Sequence, residues 1–117
     1  MTKKTFDELF LEALDEALLT LGESARQSIY FHLADKFKIE KNTILSRLES
    51  FECGLDKIFG IGARYIEILI MQKLYEKVGQ PLEWEEEKEL IFVDYVNAAK
   101  QTFSRKGKTV GPEKTRN

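Results

Sequence analysis

Two prolines and seven glycines in 117 residues are too few for an all-β chain. Short strands would need turn residues at roughly every 8–12 positions. One cysteine, Cys53, excludes an internal disulfide and fits a reducing compartment. At an apolar helical position it reads as a small inert hydrophobe. One histidine, His32, leaves no partner for a metal cluster, and no Ser-His-Asp order with catalytic spacing is present. His32 therefore reads as a boundary residue, and no catalytic residue, metal or cofactor is expected. The longest apolar patch, Ile68 to Met71, falls far short of the roughly 20 residues of a bilayer span. Asp7, Glu8, Glu12, Asp15 and Glu16 interrupt the hydrophobics near the start, so no secretory leader is expected. The expected setting is the cytoplasm, with no membrane partner.

Charge is unevenly spread. Residues 1–103 carry 13 Lys/Arg against 19 Asp/Glu, whereas 104–117 carry five basic residues against Glu113 alone. An acidic body repels phosphate backbones over a Debye length of roughly 8–10 Å, which disfavours nucleic acid there and leaves it open for the tail.

What is plentiful is helical periodicity. Phe6, Leu9, Phe10, Ala13, Leu14, Ala17, Leu18 and Leu21 recur at three- and four-residue steps behind Thr5, a candidate N-cap, with Gly22 at the stop. Ser24 followed by Gln27 has capping-box spacing ahead of a second stripe at Ile29, Tyr30, Leu33 and Phe37. An N-cap at Asn42 predicts a third helix with Ile44, Leu48, Phe51, Leu55, Ile58 and Phe59 inward, and Gly54 within it marks a close crossing. A fourth helix runs from Ala63 to Val78, apolar on most sides, with a polar strip of Arg64, Glu67, Gln72, Lys73, Glu76 and Lys77. Gly79 and Pro81 end it. A fifth is predicted from near Glu83 to Phe103, with Glu83, Glu85, Glu86 and Glu87 as a solvated start and Leu90, Val93, Val96, Ala99 and Phe103 on one face. The expectation is an all-α domain over 1–103, a compact bundle of about five helices, followed by a disordered basic tail over 104–117.

Gly60-Ile61-Gly62 breaks the helical pattern and restarts it at once, predicting a tight helix-turn-helix corner. Leu55-x-x-Ile58-x-Gly60-Ile61-Gly62 resembles the hairpin of helix-hairpin-helix proteins. That resemblance implies backbone amides and Arg64 at a phosphate, with Ile61 as the buried turn residue. Separately, Leu33 to Ile44 has helix-turn-helix-like spacing, with a recognition helix beginning near Asn42, Thr43 and Ser46. On the nucleic-acid reading the candidate contacts are Lys41, Thr43, Arg47 and the tail residues Arg105, Lys106 and Lys108.

A further resemblance covers residues 6–79. Leu21-Gly22-Glu23, Ile29-Tyr30-x-x-Leu33, Phe59-Gly60-x-Gly62-Ala63-x-x-Ile66-Glu67 and Leu74-Tyr75-Glu76-Lys77-x-Gly79 resemble the Nitrosopumilus output domain family, a small helical archaeal family of uncharacterised function. The resemblance implies a signalling output or protein-interaction role without catalytic residues. The primary expectation is thus a non-catalytic regulatory domain acting through a protein partner, and nucleic-acid binding is the alternative. The apolar fourth helix has two readings: a homodimer surface, or the central helix of the bundle.

Overall fold

The computed structural model describes residues 4–83 and 91–108, and among them there is no strand. The described residues form five α-helices: α1 (Phe6–Leu19), α2 (Glu23–Phe37), α3 (Leu48–Phe59), α4 (Ala63–Val78) and α5 (Phe92–Lys108). The expected all-α bundle is the observed one. None of its helices is long and apolar enough to cross a membrane, among the described residues.

α1 starts as its sequence predicts. Thr5 Oγ1 accepts from the Glu8 N–H at 3.1 Å, and the Thr5 N–H donates to Glu8 Oε1 at 2.9 Å, closing a capping box. α2 differs from expectation, because Gly22 is its N-cap and no side chain caps it. Gln27 instead donates to the Glu23 carboxylate. Its last residue is followed by Lys38 at φ 57°, a left-handed position usually held by glycine. Arg47 Nη1 donates to the Lys38 carbonyl at 2.6 Å and anchors that turn.

The third helix begins later than predicted. Residues Lys41–Thr43 and Leu45–Arg47 form two short 3₁₀ turns, and α-helix starts only at Leu48. The cause is local: Thr43 Oγ1 donates to the Glu40 carbonyl and Ser46 Oγ to the Thr43 carbonyl, both three residues back. Such bonds compete with the α pattern. α5 is displaced as well. Glu83 is not helical, helical backbone begins at Phe92, and it continues past Phe103 to Lys108, five residues into the segment read as tail. The remainder of the acidic run and residues 109–117 lie outside the described residues.

The core runs through all five helices. Phe10, Phe51 and Phe92 are fully buried, Phe51 meets Phe92 with ring centroids 6.2 Å apart, and Phe6 meets Phe103 at 5.8 Å. Phe92 was not on the predicted face, since a helix starting at Phe92 places Phe92, Val96 and Ala99 inward. α4 is the central helix, packed chiefly on α1 and α5 and also on α3. The neighbours its apolar surface requires thus come from the same chain. Gly54 marks the close crossing expected of it: a Cβ there would stand 2.9 Å from Leu33 Cδ2.

Candidate functional site

The α3–α4 corner carries two departures from ordinary patterning within seven residues. Gly60 adopts φ 62°, ψ −130°, a conformation that side chains exclude, and the Gly60–Gly62 3₁₀ turn hands the chain to α4. Ile61 at its tip is 100% exposed, and Tyr65, one turn later, is 59% exposed. Neither fits its predicted place. The buried turn residue of the helix-hairpin-helix resemblance stands fully in solvent, and Tyr65 leaves the apolar surface of α4. Gly62, by contrast with Gly60, has φ −70° and room for a Cβ 3.7 Å from Phe59 Cβ.

The second departure is Glu67, the one charged side chain fully buried among the described residues. Its Oε1 accepts from Arg64 Nη1, while its Oε2 has no partner. Burial pushes its carboxyl up from the ordinary range; Arg64 opposes that shift and Asp56 adds to it. Glu52 on α3 is raised too, by burial first and then by Glu67. Glu52, half-buried, and Asp56, exposed, thus lie close enough to Glu67 to act on its charge, with Arg64 as the opposing cation. Sequence reading put Glu67 on the solvated strip. Its spacing from Ala63, Ile70, Met71 and Leu74, all buried, was the signal that it shares the inner stripe.

Glu67 makes a testable contribution to pH dependence. A carboxyl raised in the folded state holds its proton there at a pH where the unfolded chain has lost it, so stability rises as the pH falls through the folded value toward 4.5. Relative to Glu67→Gln, the wild-type chain is expected to gain stability in urea titrations as the pH is lowered from 7 toward 4.5. A difference independent of pH across that window would refute the assignment.

A separate polar network joins α1, α2 and the loop that follows. Asp15 Oδ1 accepts from Tyr30 Oη at 2.6 Å and Arg26 Nη1 at 3.3 Å, and Oδ2 accepts from Lys41 Nζ at 2.9 Å. The Lys41 ammonium also lies 5.0 Å from the Tyr30 ring centroid. Burial raises the Asp15 carboxyl, but the bonds from Tyr30 and Lys41 and the charges of Lys41 and Arg26 outweigh it, and the net shift is downward. Tyr30 is pushed far up by burial and by Asp15.

This network engages the residues predicted to touch nucleic acid. Lys41 is paired with Asp15, Thr43 donates to a backbone carbonyl, and Arg47 donates to Lys38. No recognition helix begins at Asn42, which lies in the first 3₁₀ turn. Arg105 is exposed and donates to Thr102 Oγ1 at 3.3 Å, and Lys106 and Lys108 belong to the last turns of α5, so the basic residues are not brought together with Lys41 and Arg47 on one element. Arg64, expected beside a phosphate, faces Glu67. Cys53 is exposed, contrary to its reading as a packed hydrophobe, because its neighbours Phe51, Gly54 and Leu55 take the inner face of α3.

Comparison of the chain with protein-family models, curated proteins and solved structures returns no match. The geometry alone therefore carries the functional reading. Among the described residues no group of three or more His, Cys, Asp or Glu side chains is arranged to hold a metal ion.

Proposed function

We propose that this chain is a non-catalytic regulatory or output domain that engages a protein partner through the α3–α4 corner. The observation that carries the reading is Ile61, an isoleucine wholly in solvent at the tip of a glycine-bounded turn between two packed helices. An apolar side chain held out on a fixed backbone costs little ordering entropy on binding, and Tyr65 beside it supplies an aromatic anchor. The carboxylates of Glu52 and Asp56 on the adjoining end of α3 set the chemistry of the occupant: a partner segment with a basic side chain next to an apolar one. An intracellular, reducing setting accords with the exposed, unpaired Cys53.

The test is site-specific photo-crosslinking in the native host with a benzophenone side chain at Tyr65, and at exposed Lys100 as control. A discrete adduct from position 65 alone, lost in Ile61→Asp at unchanged melting temperature, is expected. The same adduct from both positions would overturn the reading, as would an adduct indifferent to Ile61→Asp. An adduct of twice the chain's mass would identify the occupant as a second copy and replace the basic-partner reading.

A further inference from the structure

Arg64, in the first turn of α4, stands among three carboxylates. Its Nη1 donates to Glu67 Oε1, and Asp56 and Glu52 on α3 act on the same guanidinium through their charge. Those two lie four residues apart, on one face of α3. Glu67 holds Arg64 from a wholly buried position, whereas Asp56 is exposed and Glu52 half-buried. Half of the Arg64 side chain is itself in solvent, so it is free to turn from one carboxylate to another along the surface.

Two observations give the arrangement two states. The first is that Glu67 Oε2 is enclosed and unpartnered, so one charged bond holds a carboxylate whose second oxygen has no donor. Burial and, after it, the Asp56 charge oppose the ionised form, and Arg64 alone favours it. Among the described residues α1 and α5, the other helices packed on α4, add no charge to that balance. α3 adds Asp56, and also Glu52, which feels burial first, then Glu67, Asp56 and Glu49, with Arg64 opposing them. The second observation is the helix end. α4 has no acidic residue in its first turn and no side-chain cap, so Arg64 without a counterion would face the positive end of the helix dipole. Once released by Glu67 it goes to Asp56 and Glu52 rather than to water.

We propose that Glu67 and Arg64 form a proton-operated switch that covers or uncovers the Glu52 and Asp56 carboxylates. With Glu67 ionised, Arg64 stays with it and leaves the two α3 carboxylates open to a basic group. With Glu67 protonated, the charged bond becomes a neutral one, and Arg64 swings to α3 and occupies the carboxylates that a partner's cation would use. Lower pH thus weakens engagement of a basic partner. That consequence rests on the proposed partner reading, whereas the movement of Arg64 is a property of the isolated chain.

The experiment is an NMR titration of the isotope-labelled full chain from about pH 8 to about pH 4.5, reading the Glu67 side-chain carboxyl carbon and the Arg64 Nε–Hε signal together. The Arg64 signal is expected to step at the Glu67 midpoint, and in Glu67→Gln to sit at its low-pH position throughout. In the Glu52→Gln/Asp56→Asn double variant the low-pH signal is expected at the position of free arginine, because no receiver is left. An Arg64 signal that is flat through the Glu67 midpoint would overturn the switch. So would a low-pH position unchanged by loss of both α3 carboxylates, since Arg64 would then be released into water. The wild-type titration decides the first point without any variant, so a Glu67→Gln chain that fails to fold does not remove the test. The crosslink from position 65 is expected to fall about threefold in Glu67→Gln at neutral pH. An unchanged yield would overturn the regulatory consequence, and absence of any adduct in the wild-type chain would overturn the partner reading while the Arg64 titration still judges the switch.

Discussion

Asp15→Ala is expected to destabilise the chain by about 3 kcal/mol, lowering the melting temperature by roughly 10 °C. The carboxylate accepts from three donors on two other segments, Tyr30 and Arg26 on α2 and Lys41 in the following loop. Its removal leaves the half-buried Tyr30 hydroxyl without its acceptor and Lys41 without its counterion, while Arg26 keeps its pair with Glu23 at 2.7 Å. An exposed ion pair would be worth about 0–1 kcal/mol, so the size of the loss discriminates between a structural clamp and a surface contact. The sign of its pH dependence follows from the lowered carboxyl. The stabilisation is present above the unfolded value of 3.8 and is lost as the pH falls through the lower folded value, so Asp15→Ala should converge on wild type in strong acid. A loss below about 1 kcal/mol in urea titrations at pH 7 would show the network to be screened by solvent.

Gly60→Ala is expected to lose about 2 kcal/mol, whereas Gly62→Ala is neutral or gains about 0.4–1 kcal/mol. At φ 62°, ψ −130° the backbone of Gly60 excludes a Cβ even though open space surrounds it. Gly62 is already in a helical conformation with ordinary contact distance to spare. Calorimetry of the two variants decides the matter, and equal losses would refute the assignment of strain to Gly60 alone. Because Gly60 also aims Ile61 outward, its alanine variant should weaken the crosslink at position 65 at temperatures where the chain is still folded. A corner that tolerates the change in binding would place the partner contact elsewhere.

The helices were legible where local chemistry and periodicity agree. Thr5 and Glu8 satisfy each other across three residues, and Gly79 ends α4 in a left-handed conformation at φ 82°, both readable from neighbours in the chain. Where short-range side-chain bonds compete with helix, as at Thr43 and Ser46, the pattern of apolar residues overran the real start of α3. On α5 the predicted Val96 and Ala99 do face inward, whereas Phe92, the first described helical residue and nine residues past the predicted start at Glu83, was missed.

The site was less legible, and Glu67 and Ile61 show why. Residue type predicts the reverse of what each does: the carboxylate is buried and the isoleucine is in water. Asp15 likewise reads as a charge on a solvated face until Tyr30, 15 residues on, and Lys41, 26 residues on, close over it. By itself the sequence determined that this chain builds helices and roughly where, because capping, glycine conformation and three-to-four periodicity act over a single turn. Only the tertiary structure decided which polar groups are enclosed and which apolar ones stay outside, because burial depends on how helices distant in sequence are packed against each other.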